Sequence, residues 1–111
     1  MKLALATLAA ALTLSSPVAF AGDAGTTAIE ALGKVNGIAL ACQQPAVASR
    51  ARNALVTTAP KTRANGEIFE NATNAAYLEQ GKGVACPDAA TLANLVGAAE
   101  KGLQSAFSGA R

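Results

Sequence analysis

Histidine and tryptophan are absent from this 111-residue chain, and Met1 is its single methionine. The lack of histidine removes the commonest general base and the commonest transition-metal ligand. Met1 would leave with an export signal, so no thioether would remain to bind copper, and no Cys-x-x-Cys-His sequence attaches a c-type haem. A glycine-rich phosphate loop and a nucleophile elbow are also missing. The sequence therefore predicts a protein that is not an enzyme and that requires no metal or cofactor.

Charged residues are scarce as well, since Asp, Glu, Lys and Arg make up 14% of the chain. Their near-balance, nine basic against seven acidic residues, argues against a nucleic-acid partner and against electrostatic binding to a membrane. The densest basic patch surrounds a predicted turn and consists of Arg50, Arg52, Lys61 and Arg63. This patch is the speculative partner-binding site of the sequence, and the alternative interpretation is a solvated turn.

The first 21 residues have the pattern of a cleavable signal peptide. Met1-Lys2 precedes an apolar run from Leu3 to Leu14, and Ala19-Phe20-Ala21 fits the small-x-small cleavage pattern. The apolar run is shorter than the ~20 residues that a membrane-spanning helix needs. The sequence therefore predicts a signal peptide over residues 1–21 and a single helical domain over residues 22–111. The expected location is the periplasm or the exterior, without stable membrane insertion after cleavage.

Only two cysteines are present, Cys42 and Cys86, and both would meet an oxidising compartment after export. A disulfide between them closes a long loop and contributes ~4 kcal/mol on the chain-entropy model. Cys86 also precedes a predicted helix, whose N-terminal dipole can lower the pKa of a thiol and make it reactive. Because catalytic pairs usually stand two residues apart, this wide spacing favours a permanent structural disulfide.

Apolar residues recur at helical spacing in four segments. The first predicted helix runs from Asp23 to about Cys42 and carries Gly33 and Gly37, where either a partner helix packs closely or the helix bends or breaks. The second runs from about residue 46 to residue 58, after Pro45, with Arg50 and Arg52 pointing outward. Its inward side is predicted to consist of Val47, Ala51, Ala54, Leu55 and Thr58.

The third helix is predicted to start between residues 61 and 66, with Thr62 or Asn65 as its cap, and to stop at Gly81. Its apolar face comprises Ile68, Phe69, Ala72, Ala75 and Ala76, and Glu79 falls on the same face. The fourth helix is predicted over residues 89–107, with Asp88 capping its first turn. Its apolar stripe comprises Leu92, Leu95, Val96, Ala99, Leu103, Ala106 and Phe107.

Four helices with short connections predict an all-α fold, a small antiparallel four-helix bundle with up-down-up-down order. In this topology the end of the first helix and the start of the fourth lie at the same end of the bundle. Because a disulfide requires Cα atoms within about 7 Å, the predicted topology and a Cys42–Cys86 bond support each other. Glu67 and Glu70 could offer two carboxylates to a cation, but a solvated helix face is the favoured interpretation.

The leading functional hypothesis is an exported, non-catalytic interaction module that binds a protein partner, as chaperones, inhibitors and immunity proteins do. The combination of export, length and one disulfide in a helical domain resembles the small periplasmic acid-stress chaperones of the HdeA type, with the cysteine pair as the shared motif. One alternative is a carrier that holds a small apolar ligand inside the alanine-rich bundle. A third hypothesis is a thiol-based redox protein that uses Cys86.

Overall fold

The computed structural model describes the backbone of residues 16–108 and the side chains of residues 24–108. It contains four helices, which are α1 (Ser16–Ala41), α2 (Pro45–Thr58), α3 (Arg63–Gln80) and α4 (Ala89–Ser108). The described residues contain no strand, so the predicted all-α class is confirmed. Residues 1–15 of the predicted signal peptide lie outside the described residues, and residues 16–21 form the first part of α1.

The helices start where the local chemistry of the chain supplies a start signal. Pro45 occupies the opening position of α2, where its missing N–H is not needed. Of the two predicted caps for α3, Thr62 is the observed one, since its Oγ1 accepts a hydrogen bond from the Asn65 N–H at 3.1 Å. Asp88 caps α4 as predicted, because its Oδ1 accepts a hydrogen bond from the Thr91 N–H at 2.8 Å.

Helix α1 is the centre of the molecule, because each of the other three helices packs against it. Helices α2 and α4 lie on one side of α1 and also pack against each other, whereas α3 makes only marginal contact with α2 and α4. The bundle of four helices is therefore present, but α3 depends on α1 for its packing. The buried apolar core is formed by Ile29, Leu32, Val35, Ala39, Val47, Ala48, Ala51, Ala59, Phe69, Leu92, Val96, Ala99 and Leu103.

Two glycines allow α1 and α3 to approach closely. A Cβ atom added at Gly33 would lie 2.7 Å from the Phe69 carbonyl oxygen, and one added at Gly37 would lie 2.8 Å from the Ala76 Cβ. Both distances are shorter than real Cβ atoms tolerate, so these positions require glycine. The predicted alternative of a break at Asn36-Gly37 does not occur, since α1 continues through Gly37 to Ala41. Because residues advance along both helices in the same direction at these contacts, α1 and α3 run parallel.

A buried polar pair lies in the same interface. Asn36 is 1% exposed, and its Nδ2 donates a hydrogen bond to Thr73 Oγ1 at 3.1 Å. Thr73 Oγ1 in turn donates to the Gly33 carbonyl oxygen at 3.2 Å. The Asn36 Oδ1 has no hydrogen-bond partner among the described residues.

The predicted disulfide is present between Cys42 and Cys86, whose Cα atoms are 5.8 Å apart. It joins the residue after α1 to the segment that leads into α4. A disulfide is typical of proteins from oxidising compartments. In the part of the chain that the structure describes, no helix combines the length and apolar character needed to cross a membrane.

Candidate protein-binding surface

One residue of the predicted basic patch takes part in the packing of the fold. Arg50 is engaged in the fold, since its Nε and Nη2 donate hydrogen bonds to the two carboxylate oxygens of Glu100 at 2.9 and 2.8 Å. These hydrogen bonds, together with the charge of Glu100, raise the pKa of the Arg50 guanidinium above its ordinary value. Arg52 lies two residues further along α2, about 200° around the helix, and therefore on a different side.

The other two residues of the patch lie between α2 and α3. The Arg63 Nε is 3.8 Å from a carboxylate oxygen of Glu67, and both side chains are highly exposed. Such an exposed pair contributes little to stability. Lys61 and Arg52 are exposed and form no ion pair with any described residue. Of the four residues of the predicted patch, Arg50 joins α2 to α4, and Arg52, Lys61 and Arg63 are highly accessible.

Glu100 is a residue that sequence reasoning missed. The periodicity of α2 places Arg50 on its outward side, and nothing near Arg50 in sequence identifies an acidic partner 50 positions away. The Glu100 side chain is only 23% exposed, and it receives both hydrogen bonds of the guanidinium in a bidentate pair. The pair therefore belongs to the α2–α4 contact.

A larger candidate surface lies on the outer side of α1, between α3 and α4, and is called here the open face. Its central strip is the exposed side of α1, with Thr27, Glu30, Ala31 and Lys34 exposed and Ile38 half-buried. Helix α3 borders this strip on one side and α4 borders it on the other, as the grooves between the helices show. No other described helix covers the strip.

Grooves run along both edges of α1 on the open face. The groove towards α3 has a volume of about 620 Å³ and is lined by Glu30, Lys34, Ile68, Asn71, Ala72, Ala75, Ala76 and Glu79. Towards α4 there are two clefts of about 440 and 650 Å³, which share Ala31, Ala98 and Ala99. Lys34 lines both the α3-side groove and the smaller α4-side cleft, so the open face is continuous across α1.

The open face exposes residues that the sequence pattern assigned to the interior. Leu95 belongs to the predicted apolar stripe of α4 but is 40% exposed, and Ala75 of α3 is exposed although it was predicted to face inward. Both line grooves of the open face. Glu79, which falls on the apolar face of α3, lies at the edge of the same surface and forms an exposed ion pair with Lys82 at 3.5 Å. Of these residues only Glu79, a charged residue on an apolar helix face, gives a sign in the sequence that this surface is uncovered.

The open face carries few charged residues, and most of them form no ion pair within the described part of the chain. Glu30 and Lys34 stand one helical turn apart on α1, and neither forms an ion pair with another described residue. The rest of the surface is dominated by alanine with a few larger apolar side chains. Such a composition suits contact with another protein surface.

No candidate metal site lies among residues 24–108. That part of the chain holds no cluster of three His, Cys, Asp or Glu side chains that could bind a metal ion. Both cysteines are in the disulfide, and Asp88 near Cys86 is occupied with capping α4. No family model, no curated protein and no solved structure matches the chain.

Proposed function

We propose that this protein is an exported, non-catalytic helical module that binds a protein partner through the open face. The observation that carries the proposal is the uncovered side of α1, which lies in the middle of the molecule between the α3-side groove and the two α4-side clefts. Contiguous apolar surface on a small protein marks a site of interaction. The role is of the kind that chaperones, inhibitors and immunity proteins fulfil, since each acts by contact alone.

The packing of the bundle supports this use of the open face. Ala75 and Leu95 lie on apolar helix faces that would be covered in a closed bundle, and here both remain accessible. A protein that covers them would complete the packing around α1 and remove this apolar surface from water. The gain is roughly 25 cal/mol for each Å² of apolar surface buried.

The proposed location is the periplasm or the exterior of the cell. Two independent features support it, the signal-peptide pattern of residues 1–21 and the Cys42–Cys86 disulfide. In such a compartment the disulfide keeps α1 and the start of α4 together, and with them two of the three helices that form the open face.

Site-specific photo-crosslinking in the producing organism tests the proposal. A photoreactive amino acid at Ala98, on the open face, is expected to give a discrete protein adduct. The same group at Val56 is the control, because Val56 is 53% exposed on α2 and lies outside the open face. Substitution of Ala75 by arginine should abolish the Ala98 adduct without unfolding the protein, since Ala75 is exposed. Identical adducts at Ala98 and Val56, or none at either position, would overturn the proposal.

One observation favours a second candidate function, the carriage of a small apolar ligand. The α3-side groove, at about 620 Å³, falls within the ~300–1,000 Å³ typical of small-molecule sites. The groove is open along its length, so a ligand would lie on the outer side of α1 and not inside the bundle. Native mass spectrometry of the oxidised protein from its source distinguishes the two functions, because a carrier shows an added small-molecule mass and the interaction module does not.

A further inference from the structure

We infer that the protein which covers the open face is a second copy of this chain, with the two α1 helices packed antiparallel about a two-fold axis. The inference rests on the proposed function, in which the open face is a protein-binding surface, and it names the partner. Its basis is the charge pattern of α1, the small residues around that pattern, and the position of α1 in the middle of the face.

The charge pattern of α1 is complementary to itself. Glu30 and Lys34 are four residues apart, about 6 Å along the helix axis, and neither is paired with another described residue. When two such helices run antiparallel, the order of charges on one is reversed relative to the other. Glu30 then faces Lys34 of the second copy, and Lys34 faces its Glu30. One pair of residues thus supplies two ion pairs, as the symmetry of an isologous interface requires.

The surroundings of this pair permit two helices to approach closely. Ala31 lies beside Glu30 on the exposed side of α1, near the level of the two-fold axis, and Thr27 lies one turn earlier. Small side chains at such a crossing allow the short interaxial distances, about 8 Å, at which helices pack well. Ile38 and Leu95, both partly exposed, lie further from the axis and supply larger apolar side chains to the contact.

Other exposed apolar side chains would not give a closed dimer by docking into the open face. Leu78 and Val84 are 63% and 49% exposed, and neither lines a groove of the open face. If they docked into the open face of another copy, the contact would join two different surfaces. Contacts of that kind form rings or open chains and not a two-fold dimer. The antiparallel pairing of α1 uses the same surface on both copies and therefore gives a closed two-fold dimer.

Sedimentation of purified, oxidised protein without its signal peptide tests the inference. The wild-type protein is expected to form a dimer whose dissociation constant rises with salt, because exposed ion pairs are screened. Glu30→Lys alone, or Lys34→Glu alone, places like charges opposite each other at two symmetric positions. Each should raise the dissociation constant by about tenfold or more. The double variant E30K/K34E restores complementarity and should return the constant to within about threefold of wild type.

A mixture of the two single variants provides the sharpest readout. On the exposed side of α1, E30K carries two basic residues and K34E carries two acidic ones, so each should fail to pair with itself but should pair with the other. The matched control is R63E/E67R, which exchanges another i, i+4 pair on α3 outside the open face and should leave dimerisation unchanged.

The inference would be overturned if the wild-type protein were monomeric, or if its dimer dissociation constant were unchanged by E30K and by K34E. Photo-crosslinking at Ala98 separates this failure from failure of the proposed function. An adduct with the mass of two chains supports both proposals. An adduct with a different protein keeps the proposed function and rejects the second copy.

Discussion

Asp88 caps the first turn of α4 as a carboxylate, so its contribution to stability depends on pH. The hydrogen bond from the Thr91 N–H lowers the pKa of Asp88 below its ordinary value of 3.8. A group whose pKa is lower in the folded state adds stability above its unfolded pKa and loses it as the pH falls through the folded pKa. The stabilising effect of Asp88 is therefore complete at neutral pH and lost in acid.

Thermal unfolding of Asp88→Ala at several pH values tests this. The variant should unfold at a lower temperature than wild type at pH 7, and the difference should shrink as the pH falls below the ordinary pKa of 3.8. Asp88→Asn is the control, because asparagine also accepts the capping hydrogen bond but does not titrate. A difference between wild type and Asp88→Ala that stays constant down to acid pH would show that ionisation of Asp88 is irrelevant.

Asn36 shows how a single residue restricts the way in which two helices pack. Its amide reaches Thr73 across the α1–α3 interface, and the hydroxyl of Thr73 reaches back to the Gly33 carbonyl. A buried polar group that loses its partner is costly, so a shift of α3 by one turn along α1 would leave these groups unpaired. The pair therefore selects the parallel register that the glycines permit. This polar contact offers specificity where the apolar contacts alone would allow sliding.

At the scale of the element, the contact between α1 and α3 depends on the absence of side chains. Gly37→Ala adds a Cβ against the Thr73 carbonyl oxygen and the Ala76 Cβ, so α3 must move away from α1. The expected loss is about 1–3 kcal/mol of unfolding free energy from overpacking, larger than the propensity gain of up to ~1 kcal/mol from alanine. Chemical denaturation of Gly37→Ala and wild type measures this loss of unfolding free energy.

Gly102→Ala is the matched control for this experiment. Gly102 lies within α4, and a Cβ added there would meet no atom within 4 Å. The substitution should raise the unfolding free energy by about 0.5–1 kcal/mol, since alanine is the better helix former. If Gly37→Ala were also stabilising, the close approach of α1 and α3 would not be a feature of the folded protein.

Individual helices could be predicted well where local chemistry determines them. The bounds of α4 agree with the prediction within one residue, because Pro87 and Asp88 supply the start signals directly. The start of α3 remained open among several residues, because Thr62 and Asn65 are both good caps and only the three-dimensional contact selects one. The continuity of α1 could not be decided from its glycines. Glycines at these positions are expected both when a partner helix packs closely and when the helix breaks.

At the scale of the whole molecule, the arrangement of helices around α1 was beyond the sequence. Apolar stripes show which side of a helix is covered but not which helix covers it. The stripes of α3 and α4 are therefore compatible both with a closed bundle and with the observed arrangement. In the structure α3 packs on α1 almost alone, and the side of α1 between α3 and α4 stays uncovered. The open face follows from this choice of neighbours, whereas the basic patch is visible in the sequence and one of its residues, Arg50, is engaged by Glu100 in the fold.

We expect α3 to be the helix most dependent on the disulfide, because it packs on α1 almost alone and Phe69 is its only buried residue. The bond between Cys42 and Cys86 closes a loop that contains all of α2 and α3, and the chain-entropy model assigns it ~4 kcal/mol. The double variant Cys42→Ser/Cys86→Ser should lose about that much unfolding free energy in chemical denaturation. Of the helices in the loop, α2 keeps contacts with both α1 and α4, whereas α3 keeps only its contact with α1.

Hydrogen exchange on the double variant shows whether this dependence is real. Amides of α3 should lose more protection than those of α2, because a helix with few buried residues opens at lower free energy. Only Phe69 is buried in α3, whereas Val47, Ala48 and Ala51 are buried in α2. The oxidised wild-type protein measured under the same conditions is the reference. Equal loss of protection in α2 and α3 would mean that the disulfide stabilises the bundle as one cooperative unit. Preferential loss in α3 would mean that the bond keeps in place the helix that forms one border of the open face.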